Sequence, residues 1–174
     1  LGSSLFSADL AARLGLPFAF ASHFAPDMLM DALTLYRNRF EPSEALDKPY
    51  AVAAMGFFAA DTDEEGEYLA TSMQQQFLNL RRGTPGQLPK PVKDMSEIWN
   101  RVEKAGVDHA MRYAAIGGRD TVRKKLREFA YITKADEIMV TANIYDQTAR
   151  LKSFEIAAEL FGEMNAKSEN KDCA

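Results

Sequence analysis

The sequence predicts an α/β fold built around a parallel sheet, and three apolar segments carry that prediction. They are residues 16–22 (LPFAFAS), 49–61 (PYAVAAMGFFAAD) and 135–146 (ADEIMVTANIYD). Each is apolar almost without interruption, which is typical of strands buried on both faces of a parallel sheet. Segments with helical periodicity separate them, and strands that alternate with helices favour right-handed β–α–β crossovers.

Capping residues mark the ends of the first helices. Ser4 or Ser7 can cap a first helix, because a serine side chain accepts from the first backbone N–H groups of a helix. Gly15 stands where a C-terminal cap is expected. Pro26 suits the first turn of a second helix.

Similar signals continue along the chain. Thr62 and Glu65 have the spacing of a capping box and predict the start of a third helix. A further helix is predicted over about 96–113. Residues 116–120 (IGGRD) predict a turn, and Asp120 can cap the helix that follows. The helices carry apolar stripes that are expected to face the core: Leu29, Leu33, Tyr36 and Phe40; Leu69, Met73, Phe77 and Leu80; Val122, Leu126 and Phe129; Leu151, Phe154, Ala158 and Phe161.

Residues 81–99 (RRGTPGQLPKPVKDMSEIW) interrupt the alternation of strands and helices. They are rich in glycine and proline and too irregular for a regular element. Connections of this length in compact domains are often functional. We predict one domain over 1–164, with an irregular excursion at about 83–95 and a polar tail over 165–174.

The order of elements predicts half of a (β/α)8 barrel. Three whole strands and the stump of a fourth at Leu1 are predicted, whereas a complete barrel has eight strands in about 250 residues. The chain has 174 residues. A small doubly wound sheet fits the same pattern and is the alternative fold.

Composition excludes several classes of function. The net charge of −4 gives no electrostatic reason to expect nucleic acid binding. The single cysteine, Cys173, excludes an internal disulfide and favours a reducing compartment, so we expect a cytoplasmic protein. No apolar run approaches the roughly 18 residues of a membrane span. Two histidines and one cysteine at unrelated spacings do not predict a zinc site.

The opening turn is the first candidate binding site. In both folds, ligands bind at the carboxyl ends of parallel strands. Gly2 lets the backbone approach a ligand closely, and the hydroxyls of Ser3, Ser4 and Ser7 can donate to a phosphate beside the helix N–H groups. Ordinary helix capping by serine explains the same residues.

Two other loops follow predicted strands. His23 can bond to a flavin or a substrate carbonyl, or act as an acid or base, whereas a histidine bonded only to backbone is the alternative. Asn143, Tyr145 or Asp146 is expected to cap the last helix rather than to catalyse. His109 lies within a predicted helix and is expected to be structural.

Four longer segments carry a family resemblance. They are LGSSLFSADLAARLGLPFAFASHFAPDML, PYAVAAMGFFAADTDEE, TSMQQQFLNLRRG and ADEIMVTANIYDQTARLKSFEI. Together they resemble the luciferase-like monooxygenases, in order and with few gaps, from Leu1 to about Leu160. The resemblance implies a flavin-dependent (β/α)8 barrel, of which this chain is the C-terminal half, about strands 5/6 to 8 with their helices.

The resemblance also implies a cofactor and a reaction. Reduced FMN and O2 oxidise an aldehyde-like or other small organic substrate, and a separate reductase supplies the reduced flavin. The flavin phosphate site carries over onto Ser3, Ser4 and Ser7, with Gly2 as the spacer before them. His23 is the candidate catalytic residue, and the excursion at 83–94 helps to cover the site.

An open half-barrel exposes apolar strand faces and unpaired strand edges. We therefore expect either a piece of a longer protein or a homodimer whose open sheets pair. The leading functional hypothesis is an enzyme piece with weak or no activity alone. A non-catalytic flavin-binding or structural half-barrel and a small α/β binding domain unrelated to flavin are the alternatives.

Overall fold

The computed structural model describes residues 1–172, and Cys173 lies outside them. Its elements follow in the order α1 (Leu5–Arg13), β1 (Phe18–Phe20), α2 (Leu29–Arg39), β2 (Ala51–Ala60), α3 (Asp63–Arg81), α4 (Arg101–Ala110), β3 (Ala115–Gly118), α5 (Arg119–Thr133), β4 (Glu137–Thr141) and α6 (Gln147–Asp172). The strand pairs are parallel, so the predicted α/β fold with a parallel sheet is confirmed. Among the described residues, no helix combines the length and apolarity needed to cross a membrane.

The chain divides into two units. The first comprises Leu1–Gly56, Arg101–Ala114 and Leu126–Thr141, and the second comprises Phe57–Asn100, Ala115–Lys125 and the residues from Ala142 onward. In the first unit, β2 pairs with β1 and with β4. The register places Ala51 beside Phe18 and Val52 beside Glu137. In the second unit, the end of β2 pairs with β3.

The core of the first unit is centred on Tyr36 of α2, which is fully buried. Its ring packs against Phe18 with the ring centroids 5.3 Å apart. Its hydroxyl donates to the carbonyl of Leu16 at 2.8 Å and accepts from the N–H of Tyr50 at 3.0 Å. Burial raises the pKa of the Tyr36 hydroxyl. The side chain thus ties together the segments that enter β1 and β2.

Several helix boundaries follow the predicted signals. Gly15 has a φ of +61° just after α1, which is the left-handed conformation expected of a glycine that ends a helix. Thr62 caps α3, because its side chain accepts from the N–H of Glu65 at 3.1 Å. The predicted stripes of α2 and α5 are buried at Leu29, Leu33, Tyr36, Val122, Leu126 and Phe129.

Strand β3 corrects the prediction of a turn at 116–120. Two of its four residues are glycines, so the sequence offered no side-chain pattern of a strand. The backbone of Gly118 is held by the carboxylate of Asp63, which accepts from its N–H at 2.7 Å. A Cβ on Gly66 would lie 2.6 Å from the Cα of Gly117, so α3 and β3 approach closely because both residues are glycines. Helix α5 already begins at Arg119, so Asp120 lies within it rather than capping it.

Two helices differ from the prediction in their ends. Helix α2 begins at Leu29, so Pro26 precedes it instead of occupying its first turn. The reason is a separate turn, in which the N–H of Ala25 donates to the carbonyl of Ala21 at 2.9 Å. Helix α4 covers Arg101–Ala110, which is shorter than the predicted 96–113.

The predicted core stripe of α6 is wrong. The buried residues of this helix are Ser153, Ile156, Ala157 and Leu160, whereas Leu151 is 52% exposed. Apolar residues occupy more than one face of α6, so their spacing alone does not select the buried face. The hydroxyl of Ser153 accepts from the N–H of Ala59 at 3.0 Å, and this buried hydrogen bond fixes which face meets β2.

Candidate functional site

The opening turn lies directly beside β1. The N–H of Gly2 donates to the carbonyl of Ala19 at 2.9 Å, and the N–H of Ala21 donates to the carbonyl of Gly2 at 2.9 Å. This bridge is parallel, like the rest of the sheet. The turn after Gly2 and the loop after β1 therefore leave the sheet at the same end, which is where parallel sheets bind ligands.

A capping box organises the turn. Ser4 is the N-cap of α1, and its side chain accepts from the N–H of Ser7 at 3.3 Å. The hydroxyl of Ser7 accepts from the N–H of Ser4 at 3.3 Å and donates to its carbonyl at 2.8 Å. Ser3 and Ser4 are exposed. The structure thus brings the predicted serines together, in a geometry that meets the capping requirement of α1.

Gly2 is required by the packing of the turn. A Cβ at this position would lie 2.0 Å from the hydroxyl oxygen of Ser7, far inside contact distance. Helix α1 carries no acidic residue in its first turn, in contrast to α3, which carries three. The first turn of α1 therefore adds no carboxylate that would oppose an anion at this helix N-terminus.

The loop after β1 contains His23. The preceding residue, Ser22, is buried, and its hydroxyl donates to the carbonyl of Ala54 at 2.5 Å. His23 is half-buried, and its Nδ1 is a buried atom with no hydrogen-bond partner among the described residues. Burial lowers the pKa of His23, because it disfavours the charged imidazolium. A neutral imidazole with an unused nitrogen can donate, accept or transfer a proton.

An exposed ionic cluster holds the same loop. Asp27 lies 2.5 Å from Nε2 of His109 and 2.9 Å from a guanidinium nitrogen of Arg112. The hydrogen bond with His109, followed by that with Arg112, holds the pKa of Asp27 below its ordinary value. The sequence predicted a structural role for His109 but not its partner, because Asp27 is 82 positions away and no local pattern links the two.

The residues after β4 lie in the second unit. The carboxylate of Asp146 accepts from the N–H of Ala149 at 2.9 Å, so this residue supplies the predicted cap of α6. The side-chain amide of Asn143 lies 3.5 Å from the sulfur of Met73. The ammonium group of Lys90 lies 5.9 Å from the ring centroid of Tyr145, within reach of a cation–π contact.

Side chains of α3 fasten the irregular excursion. The Gln75 amide donates to the carbonyl of Lys90 at 2.9 Å, and the Gln76 amide donates to the carbonyl of Gly86 at 3.2 Å. The N–H of Val92 donates to the Thr71 hydroxyl at 2.9 Å. The excursion is therefore an ordered segment along α3.

In the described part of the chain, no three His, Cys, Asp or Glu side chains group to hold a metal ion.

Sequence comparison finds relatives that are about twice as long as this chain. No protein-family model matches the chain. It is 52% identical to the luciferase-like monooxygenase of Escherichia coli (strain K12) over 94% of this chain and 49% of that protein. It is 51% identical to the uncharacterized protein YvbT of Bacillus subtilis (strain 168), over 92% of this chain and 48% of that protein. The chain spans about half the length of the curated relatives it matches.

Solved structures give the same result for the fold. The crystal structure of apo-MsnO8 matches with a TM-score of 0.77 at 29% identity, covering 92% of this chain and 49% of that one. The monooxygenase RslO1 from Streptomyces bottropensis matches with a TM-score of 0.56 at 17% identity, covering 93% of this chain and 46% of its own, and shows the fold alone. The resemblance to the luciferase-like monooxygenases is confirmed over about half the length of those proteins. The predicted fold class, an α/β fold that forms part of a (β/α)8 barrel, is confirmed with it.

Proposed function

We propose that the chain is the C-terminal half of a flavin-dependent monooxygenase that uses reduced FMN and O2. Its substrate is an aldehyde-like or other small organic molecule, and a separate reductase supplies the reduced flavin. The protein itself is cytoplasmic. The names of the relatives support the reaction class, and their length supports the assignment of this chain to one half. Full activity belongs to the complete protein.

The observation that carries the proposal is the opening turn. Three hydroxyl side chains, Ser3, Ser4 and Ser7, stand at the N-terminus of a helix whose first turn lacks carboxylates. A phosphate needs hydrogen-bond donors and a positive local potential, and this turn offers both. Gly2 leaves room for the Ser7 side chain against the turn, because a Cβ on Gly2 would lie 2.0 Å from the Ser7 hydroxyl oxygen.

Each residue then has a definite role toward FMN. The hydroxyls of Ser3 and Ser4 donate to the phosphate oxygens, and Ser7, whose hydroxyl proton bonds to the Ser4 carbonyl, holds the turn in place. The backbone N–H groups at the start of α1 add donors. Bound flavin supplies the electrons that activate O2. The remaining tasks, orienting the substrate and excluding water, belong to the protein.

His23 is the residue proposed to act on the reacting groups. Its lowered pKa keeps the imidazole neutral near pH 7, so it can accept a proton or donate a hydrogen bond to a carbonyl. Nδ1 of His23 is buried and has no partner among the described residues, so a group that reached it would not have to displace a protein hydrogen bond. His23→Ala in the complete enzyme is expected to lower kcat by about 100-fold.

The phosphate site is tested by titrating the chain with FMN and, separately, with riboflavin, which lacks the phosphate. We expect FMN to bind more tightly. Ser4→Asp should abolish this preference, because aspartate still caps the helix but repels the phosphate. Thr62→Asp is the matched control, since Thr62 is also an N-cap and the change in charge is the same.

The outcomes separate the two explanations of the serines. Loss of the FMN preference in Ser4→Asp but not in Thr62→Asp supports phosphate binding. Equal binding of FMN and riboflavin, or an FMN preference that survives Ser4→Asp, overturns the assignment and leaves the serines with capping alone. Circular dichroism of Ser4→Asp should match the unsubstituted chain.

A further inference from the structure

We infer that α3 carries, beneath the irregular excursion, a binding site for one internal water molecule between the side chains of Ser72 and Gln76. Ser72 is fully buried. Its hydroxyl oxygen and Oε1 of Gln76 are both buried atoms, and neither bonds to a protein group among the described residues. Buried polar atoms are nearly always hydrogen-bonded, because a buried atom without a partner costs free energy. Two such atoms on one helix therefore point to a ligand that they share.

The two residues lie one turn of α3 apart. Side chains four positions apart lie on the same side of a helix, with their Cβ atoms about 5–6 Å from each other. The excursion covers this part of the helix. The amide of Gln76 donates to the carbonyl of Gly86 at 3.2 Å, and the amide of Gln75 donates to the carbonyl of Lys90 at 2.9 Å. Both atoms therefore lie where the backbone of residues 86–90 meets the helix.

The bond to Gly86 fixes the orientation of the Gln76 side chain. A carbonyl oxygen only accepts hydrogen bonds, so the NH2 group of Gln76 must face Gly86 and its Oε1 must point elsewhere. Rotating the amide by half a turn would set two acceptors against each other. Oε1 is therefore a buried acceptor that requires a donor.

The helix offers the hydroxyl of Ser72 no free acceptor of the usual kind. A serine within a helix commonly donates to the carbonyl four residues earlier, which here belongs to Tyr68. That carbonyl already accepts from the hydroxyl of Thr71 at 2.6 Å. In an α-helix it also accepts from the N–H of Ser72 itself. Both of its lone pairs are thus used, and the Ser72 hydroxyl requires a partner from outside the helix backbone.

The chemistry of the two atoms identifies the ligand. Oε1 of Gln76 only accepts, whereas the hydroxyl of Ser72 can donate or accept. A molecule that joins them must donate to Gln76 while it bonds to Ser72, and water is the smallest molecule that does both. The water holds the Gln76 amide in the orientation that bonds to Gly86. Ser72 is therefore a positioning residue for the excursion, and this role does not depend on the proposed flavin chemistry.

The first test detects the water by NMR in the 174-residue chain. We expect a nuclear Overhauser cross-peak between water and the Hβ protons of Ser72. Gln76→Met removes the acceptor of the water and should abolish this cross-peak, whereas solvent exchange of the Ser72 hydroxyl would leave it in place. Ser153 is the internal control, because it is equally buried but its hydroxyl bonds to the backbone of Phe57 and Ala59. A missing cross-peak at Ser72, or one that survives Gln76→Met, overturns the inference.

The second test measures stability, because a hydroxyl with a partner and a hydroxyl without one predict opposite signs. Alanine is the better helix former, so Ser72→Ala should raise the melting temperature if the hydroxyl has no partner. With the water bound, we expect Ser72→Ala to lower the melting temperature by about 2–4 °C. In the Gln76→Met background the decrease should be less than half as large, because the water is already lost.

Ser153→Ala is the matched control for the stability test. Its hydroxyl bonds to protein atoms, so this substitution should lower the melting temperature equally with and without Gln76→Met. An unchanged or raised melting temperature in Ser72→Ala overturns the inference. An equal decrease for Ser72→Ala in both backgrounds overturns it as well, because the two side chains would then share no ligand.

Discussion

Nε2 of His109 and the carboxylate of Asp27 are 2.5 Å apart, so the end of α4 is joined to the loop that carries His23. Arg112 binds the same carboxylate oxygen from the next turn of the chain. An exposed ion pair contributes little to global stability. Its effect here is local, because Asp27 lies in the same loop as His23, the proposed catalytic histidine, and the ion pair restrains that loop.

We expect Asp27→Asn to increase hydrogen exchange in residues 22–28 by several-fold without changing the melting temperature measurably. The asparagine amide lacks the carboxylate charge that binds the His109 ring and the Arg112 guanidinium. Hydrogen-exchange mass spectrometry of that segment provides the measurement. Asp108→Asn is the control, because it removes another exposed ion pair of α4, with Lys104, that does not reach the loop. Equal exchange in the two variants would contradict the role assigned to Asp27.

The carboxylate of Asp63 leads to a prediction about how the stability of the fold depends on pH. The N–H of Gly118, followed by the Thr121 hydroxyl, lowers the pKa of Asp63 below its ordinary 3.8. A carboxylate with a depressed pKa in the folded state stabilises the fold above its unfolded pKa, and this stabilisation is lost as the pH falls through the folded value. Stability from Asp63 is therefore fully present well above pH 3.8 and is lost as the pH falls below 3.8 and through the lower pKa of the folded state.

The measurement is the melting temperature of Asp63→Ala and of the unsubstituted chain between pH 3 and pH 7. The difference should be largest at neutral pH and should shrink in acid. Asp61→Ala is the control, because Asp61 is exposed and pairs only with Lys152 among the contacts seen for it. A difference in melting temperature that stays constant across the pH range would show that ionisation of Asp63 does not contribute to stability.

Thr71 anchors the excursion along α3, and its removal should be visible at a single amide. In Thr71→Val, the N–H of Val92 loses its acceptor. We expect its hydrogen exchange to accelerate about fivefold, in line with a net hydrogen-bond free energy of about 1 kcal/mol. NMR measures this amide directly. Gln74→Leu, on the same helix, should leave it unchanged, and an unaltered rate in Thr71→Val would mean that the excursion is held by other contacts.

Tyr36→Phe tests the core of the first unit. The substitution keeps the ring but leaves the N–H of Tyr50 and the carbonyl of Leu16 without the hydroxyl. Unsatisfied buried groups of this kind cost about 1–3 kcal/mol. Urea unfolding should show this decrease in the free energy of unfolding. Tyr131→Phe, at an 81% exposed position, should change it negligibly.

Local sequence patterns were sufficient to predict an element where a single physical requirement determines it. Continuous apolar runs predicted β1 and β2, which are mostly buried. They also predicted the position of β4, but the expectation that both its faces are buried is wrong, because none of its residues is fully buried and Met139 is 52% exposed. Thr62 and Asp146 were recognisable because caps act within three residues. Ser4 and Ser7 were predicted as a group. Their hydrogen bonds cap α1, and the turn that they form is also the candidate phosphate site.

The predictions from sequence failed where a structural feature depends on contacts between residues that are far apart in the chain. Strand β3 exists because β2 and Asp63 hold a glycine-rich backbone, and neither is visible from residues 116–120. The buried face of α6 depends on the contact of Ser153 with Ala59, 94 positions away. The pairing of Asp27 with His109 likewise required the fold.

Strand β2 has a consequence for the biosynthesis of the chain. Its first residues need β4 as a neighbour, and its last residues need β3, yet β3 is made before β4. The stretches of the two units alternate along the polypeptide, so no single cut releases either one intact. The first unit therefore has all the strands described for it only after synthesis has reached Thr141. Residues 57–100 and 115–125, which belong to the second unit, are therefore synthesised before the last strand of the first unit.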